Sequence, residues 1–374
     1  MASYFVNRTQ YTFFEQNMGL FRNFLNEKTF LGVDIGTTSI KIAEVERKEQ
    51  GFELVNYGVL ETHGYLERYN EALQSSTLKL SETNTPFYVK MLLKHAGIHA
   101  KSSIVSLPAF LTFSTLIEVP SMSDSEIKKF MEYQGRQYIP LPLENIQYEW
   151  VKVGERKDET GSIKHQVFLV SVPKEYAAEY KKIFDQANIV LKGIEIEGMG
   201  LARSLTLGMK DPTLIVDIGG RSTSFSVAVD GMLKFSGQTD FSGGSLTQTV
   251  AKGLGISPLR AEELKKQRGL IGLGGEHELS TLIQPTLDVI ISEAKRVATD
   301  FESNYKEKVA RVILSGGGAN MPGLEEYFSK QFGMEAKRAN PFQYVKLPAV
   351  LTPIAQELGP VLSVAIGLGA KGLE

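Results

Sequence analysis

Two aspartates occupy equivalent places in two stretches of related sequence. Residues 31–45 read LGVDIGTTSIKIAEV, and residues 214–229 read LIVDIGGRSTSFSVAV. In each, an apolar run ends in Asp-Ile-Gly, small or hydroxyl-bearing residues follow, and an alternating stretch resumes. The pattern predicts a buried strand, a tight turn and the second strand of a hairpin. Gly36 and Gly219 let the backbone reverse without a Cβ clash and approach a ligand closely. The N–H groups of such turns, with the hydroxyls of Thr37, Thr38, Ser222 and Thr223, form a nest for phosphate oxygens. Gly220 and Lys41 complete the two phosphate-binding sets. Asp34 and Asp217 are suited to hold hydrated Mg2+, which keeps several waters and takes only one or two carboxylates. One such hairpin alone reads equally well as a turn capped by its own aspartate. Two copies about 180 residues apart favour two half-domains, each donating a phosphate loop to one site.

A third signal is RVILSGGGANMPGL at 311–324. A strand from Val312 to Leu314 runs into Gly316, Gly317 and Gly318, a backbone surface without side chains that suits a flat base and sugar. Asn320 follows, and Pro322 suits the first turn of a helix whose N-terminus would face the ligand. The stretch 114–188 reads differently from both repeats, as strand, helix, strand, hairpin turn, strand and helix. Ser123 and Glu126 form a capping box. Ile127, Phe130 and Met131 follow at helical spacing, with Gln134 closing the stripe. Pro140 and Pro142 break the helix. Tyr148–Val153 and Gln166–Val172 predict strands around the turn RKDETGSIK, and Lys174–Ala187 predicts an amphipathic helix.

The chain's 374 residues exceed one ordinary core and fit two α/β domains or one large one. A net charge of −2 argues against a dedicated nucleic-acid binder. With no cysteine, disulfides, thiolate metal sites and a Cys nucleophile are excluded. The five histidines are scattered and form no metal-ligand pattern. No stretch reaches the run of about 18 to 20 apolar residues that a membrane span needs, and no signal peptide opens the chain. Residues 1–17 read as a leader detached from the fold, with Met18 resembling a natural start. Phe21, Phe24 and Leu25 make a short apolar stripe expected to pack on its own domain.

DIGTTSIK, DIGGRSTS and LSGGGANMPGL, in this order, resemble the actin, heat-shock chaperone and sugar kinase superfamily. The resemblance implies an α/β fold of actin-like (ribonuclease H-like) type, with duplicated halves closing around ATP and Mg2+. FSGGSLTQTVAKGLGIS (241–257) followed by AEELKKQ (261–267) resembles the FtsA-like and PilM-like branch. There Gly243 and Gly244 would lie in a nucleotide-binding turn before the A-E-x-x-K helix, Glu262 would bind the ribose and Lys265 would lie along the base. EIEGMGLARSL (195–205) resembles the first connecting helix between halves and GPVLSVAIGLGAKG (359–372) the second, both rich in small residues for a close crossing. The implied organisation is leader 1–17, first-half core 18–113, inserted α+β subdomain 114–188, return with connecting helix 189–210, second half 211–350 and final connecting helix 351–374.

The insertion, the start MGLFRNFLNEKTF, the run Ser106–Phe113 and the run Glu118–Ser123 are similar to the PilM family of type IV pilus assembly. That resemblance implies a cytoplasmic ATP-binding component, held at the inner membrane's cytoplasmic face by the N-terminal peptide of a PilN-like membrane protein. Other platform components and self-association are implied as further contacts. The peptide would lie between first-half core and insert, with Phe110, Phe113, Tyr133 and Tyr138 as groove candidates. The alternatives are an FtsA-like filament protein and a small-molecule kinase, although no kinase-type catalytic aspartate is evident. Glu197 and Glu195, at the expected start of the first connecting helix, are the acidic candidates for orienting a water. A helix-start carboxylate favoured by the macrodipole is the competing reading. At most slow ATP turnover is expected. Arg296 either covers the base or is a solvated charge.

Overall fold

The computed structural model describes residues 27–49, 51–61, 84–140, 142–158, 160–271 and 277–373. The leader and the Phe21 stripe lie outside them. The chain starts with an antiparallel meander, β1 (Thr29–Ile35), β2 (Ser39–Lys48) and β3 (Gly51–Glu61). Helix α1 (Thr85–His95), with proline in its first turn, leads to β4 (Ser102–Leu107). A 3-10 turn, Ala109–Leu111, then carries the chain out to β5 (Phe113–Pro120) and α2 (Asp124–Gln134). Strands β6 (Ile146–Lys157) and β7 (Ile163–Pro173) follow, then α3 (Lys174–Ala187), β8 (Val190–Ile196) and α4 (Glu197–Thr206). The expected capping box opens α2, with Ser123 N donating to Glu126 Oε2 at 2.8 Å.

The second half repeats the scheme. It runs β9 (Thr213–Ile218), β10 (Thr223–Val229), β11 (Met232–Thr239), α5 (Gly243–Leu254), α6 (Pro258–Arg268) and α7 (His277–Tyr305). Then come β12 (Arg311–Ser315), α8 (Leu324–Phe332), β13 (Ala336–Arg338), the short β14 (Val345–Lys346) and α9 (Ala355–Lys371). The first sheet has the order β14-β3-β2-β1-β4-β8, and the second β11-β10-β9-β12-β13. In both, a hairpin strand pairs antiparallel with the Asp-bearing strand, which pairs parallel with the next. The duplication visible in the DIG motifs therefore extends over five strands.

The inserted strands form a separate antiparallel sheet, β5-β7-β6. Alternation along β7 gives each face its own partner. Val167 and Leu169 pack with Ile127 and Met131 of α2, whereas Phe168, Val170 and Val172 join the first-half core with Tyr180 and Phe184 of α3. The insert is thus welded to the first half by side chains pointing from one face.

Three local expectations shift. Glu195 lies in β8 and not on a helix, because strand pairing with β4 continues to Ile196. The helix after the triple glycine begins at Leu324 and not Pro322, since a 3-10 turn (Gly317–Asn320) and Gly323 at φ 80° intervene. The β6–β7 turn is tighter than RKDETGSIK suggests, because Asp158 Oδ1 accepts from Thr160 N and Ser162 N and closes it. In addition, the stretch Ala349–Lys371 is long and apolar enough to cross a bilayer, contrary to the sequence reading. Its Leu362–Ala370 portion is buried against β1, β2 and α4, the position of a core helix.

Where α4 and α9 cross, backbone meets backbone. A Cβ on Gly367 would collide with Gly200 O, and one on Gly32 would collide with Ala365 O. No side chain is present there to yield, so Gly367→Ala is expected to cost about 3 kcal/mol or more, as overpacking does at rigid sites. Thermal or urea unfolding of the variant would register this as a lowered midpoint.

Candidate functional site

Between the halves lies a cavity of about 570 Å3 lined by both Asp-Ile-Gly turns. The two turns close alike: Gly36 N donates to Ser39 O at 2.9 Å, and Gly219 N to Ser222 O at 3.0 Å. They also touch, since a Cβ on Gly220 would lie 2.5 Å from Thr38 Cγ2. The N-terminus of α5 braces the second turn. Gly243 N donates to Gly219 O at 2.9 Å, Gly244 N to Gly220 O at 3.0 Å, and Ser242 Oγ to Gly220 O at 2.9 Å. Gly243 and Gly244 line the cavity, but their N–H groups hold the loop and do not face a ligand.

Each aspartate ends its strand beside a serine. Asp34 pairs in register with Ser106 of β4, and Asp217 with Ser315 of β12. Ser106 Oγ donates to Asp34 Oδ1 at 2.7 Å, and Lys41 Nζ to Asp34 Oδ2 at 2.8 Å. Ser315 Oγ donates to Pro360 O at 3.2 Å and lies beside Asp217, whose carboxyl it lowers, so both halves set a serine next to the aspartate. The serines stand out in sequence only as hydroxyls ending apolar strands (SIVSLP and VILSGG).

A third carboxylate, Glu197, lines the cavity at the first position of α4 and accepts from Ala109 N at 3.4 Å. Burial, with Asp34 and Asp217 nearby, pushes its carboxyl well above the usual carboxylate range. Burial also pushes Asp217 up to about 6, aided by Asp34 and opposed by Lys41 and Ser315. For Lys41 burial acts downward, yet Asp34, Asp217 and Glu197 together hold its ammonium above the ordinary value. Three carboxyl groups thus face one ammonium at this end, an excess of negative charge that burial makes costly.

Helix α6 and the triple glycine line another part of the cavity. Lys265 Nζ donates to Gly243 O at 2.8 Å, Thr247 Oγ1 at 2.8 Å and Glu262 Oε2 at 2.6 Å. Thr247 Oγ1 also donates to Glu262 Oε2. The ammonium's three donors are therefore spent on protein, and only the stem of Lys265 is available to a flat ligand. The glycines divide their work. Gly316, at φ 81°, and Gly318 pack on Ile218, where a Cβ on either would clash, whereas Gly317 has open space beside it. Asn320 Nδ2 donates to Glu357 O at 2.9 Å, and its Oδ1 is buried without a partner.

Not every expected residue gathers here. Gly36, Thr37, Thr38, Lys41, Gly219, Gly220, Ser222, Glu262, Lys265 and the Gly316–Asn320 set line the cavity with both aspartates. Thr223 instead donates from Oγ1 to Phe241 O at 2.8 Å inside the second half. Glu195 is fully buried in an ion pair with Arg203, whose Nη1 also donates to Gly367 O at 3.0 Å, so it ties β8 to the helix crossing. Arg296 is exposed and paired with Glu293 and Asp300, a solvated charge. Of the four groove aromatics, Phe110 lines the cavity and Tyr133 is exposed on α2. Arg221 and Arg338, which sequence reasoning passed over, line it too.

Two duplicated α/β halves, joined by crossing helices and closing on paired Asp-Ile-Gly turns, define a protein of the actin-like fold. Over residues 32–372 the chain matches the family described as Type IV pilus assembly protein PilM, and it belongs to that family. It is 25% identical over 353 residues to the cell division protein FtsA of Enterococcus faecalis, covering 82% of this chain and 78% of that one. Its structure is similar to that of a PilM–PilN type IV pilus biogenesis complex (TM-score 0.75, 21% identity, 92% of this chain and 98% of that one). It is also similar to MreB5 of Spiroplasma citri bound to AMPPNP (TM-score 0.51, 12% identity, 91% and 94% of the two chains).

The raised Asp217 has a stability consequence. Its carboxyl rises from 3.8 to about 6 on folding, so its contribution is fully present below pH 4 and lost as pH climbs through 6. Without nucleotide, Asp217→Asn is therefore expected to melt higher than wild type. The gap should widen between pH 4 and pH 6 and stay level above, which a melting series across that range would measure.

Proposed function

We propose that the chain is a nucleotide-controlled component of the type IV pilus assembly platform, binding ATP with Mg2+ between its halves. The observation that carries this reading is the pair of touching Asp-Ile-Gly turns facing one cavity. The residues fit the group on charge: Asp34, Asp217 and Glu197 leave a buried negative excess that a divalent cation would offset. Among the described residues, no three His, Asp or Glu side chains converge as direct metal ligands. Asp34 and Asp217 are accordingly proposed to hold the ion through its waters, as Mg2+ prefers. The bound ion would neutralise phosphate charge. Gly317, the Lys265 stem, Glu262 and Asn320 would receive the nucleoside, and the two turns the phosphates.

Glu197 is the group that would orient a water at the last phosphate. Turnover is proposed to be slow at most. Glu195, committed to Arg203, would keep the hinge in register instead.

The further reading is that ATP sets how the chain presents a surface to a PilN-like membrane protein. The similarity to a PilM–PilN complex supports that partner. The N-terminal peptide of the partner would lie between the core 18–113 and the insert 114–188, pairing as an added strand. Such a contact would hold the chain at the cytoplasmic face of the inner membrane. Within this scheme, 189–210 and 351–374 connect the halves and 211–350 forms the second. The identity to FtsA favours a second reading, a filament former, which pelleting with ATP would reveal.

A PilN-like N-terminal peptide, titrated with and without Mg·ATP, tests the proposal. Wild type is expected to bind it with a nucleotide-dependent affinity, and Asp34→Ala to lose the dependence by losing ATP. An affinity indifferent to nucleotide in wild type would sink the switch.

A further inference from the structure

Five described cationic side chains line the cleft, and four are already paired. Lys41 is held by Asp34, Lys265 by Glu262, Lys266 by Glu61 across the cleft, and Arg338 by Glu325. Arg221, inside the second turn, is the exception. Among the described residues its side chain makes no ion pair or hydrogen bond, and its Cζ lies 4.4 Å from the centroid of the Phe110 ring. Arg221 belongs to the second half and Phe110 to the 3-10 turn after β4 of the first, so the contact spans the cleft.

The position along the cleft is specific. Ala109, next to Phe110, donates its N–H to Glu197. Glu197, Asp34 and Asp217 gather there around Lys41. Arg221 and Phe110 therefore stand beside the acidic cluster, and a phosphate chain reaching that cluster would meet them. A guanidinium lying over a ring uses its face for the aromatic and leaves its in-plane N–H donors free. Those donors match phosphate oxygens, and the ring restricts a side chain that would otherwise lose rotamer freedom on binding.

We propose that Arg221, seated on Phe110, contacts the terminal phosphate and makes the site prefer a nucleoside triphosphate over a diphosphate. The inference rests on the nucleotide reading above and adds a residue that discriminates. Phe110 also begins the link to β5, where the inserted subdomain starts, and Thr112 Oγ1 donates to Ala109 O at 3.0 Å within that link. The residue reporting the last phosphate is thus one step from the insert.

Binding of ATP and of ADP, each with Mg2+, is measured by calorimetry on the full chain and its variants. Arg221→Ala is expected to weaken ATP about tenfold or more, charge-assisted bonds being the strong class, and to leave ADP within about twofold. Unchanged ADP affinity shows that the variant is folded. Arg221→Lys, lacking the planar fork, should fall between. Phe110→Leu, which keeps an apolar side chain, should weaken ATP alone and by less than Arg221→Ala. Equal weakening of both nucleotides in Arg221→Ala, or no change in either, overturns the inference while leaving nucleotide binding intact. An unaltered ATP affinity in Phe110→Leu overturns the role of the ring. A wild-type chain that binds neither nucleotide overturns the nucleotide reading and this inference with it.

Discussion

The structure depends on a place where side chains are missing. At the crossing of α4 and α9, Gly200 and Gly367 bring two helix backbones into contact, and Gly32 admits α9 against the Asp34 strand. This closeness lets a six-stranded and a five-stranded sheet stand with their equivalent turns touching, Gly220 against Thr38. Any methyl group at the crossing would part the helices and, with them, the turns. The buried Glu195–Arg203 pair, reaching Gly367 O, fixes the same joint by charge and hydrogen bonds. Breaking one partner of such a pair is costly even where the pair itself adds little.

With the turns in contact, like charges are forced together. Asp34 and Asp217 end equivalent strands, and Glu197 opens the helix beside them. Asp34 receives the Ser106 hydroxyl and the Lys41 ammonium, whereas the serine beside Asp217 donates to Pro360 O. The remaining repulsion and burial appear in the raised carboxyls of Asp217 and Glu197. Groups perturbed in this manner concentrate where ligands bind.

The insert shares in whatever the cleft does, because it touches both halves. One face of its sheet is continuous with the first-half core. Its other contacts are to the second half: Lys234 Nζ donates to Val153 O, Gln166 Nε2 to Asn304 O at 3.4 Å, and Ser114 and Ser236 hydroxyls meet at 2.8 Å. Relative motion of the halves must therefore stretch or shift these bonds. Polar contacts of this kind can exchange at modest cost, whereas the apolar face toward the first half cannot.

The sequence by itself determined the repeat, the paired glycine turns and the insert. Asp-Ile-Gly turns, triple glycine, capping box and strand alternation are local patterns, and local patterns survive in a string of residues. The small residues of 195–205 and 359–372 even announced a close crossing. Only the tertiary structure decided which side chains serve the ligand and which serve the frame. Glu195 and Glu197 are two residues apart, yet one closes a strand onto Arg203 and the other faces the cleft. Thr223 turned into its own half, and Gly316 and Gly318 proved to be packing residues beside an open Gly317. Ser106 and Ser315 became visible only through parallel strand register, and Arg221 only through a ring more than a hundred residues earlier. Such assignments depend on contacts between distant segments, where burial and partner geometry, not residue type, set the role.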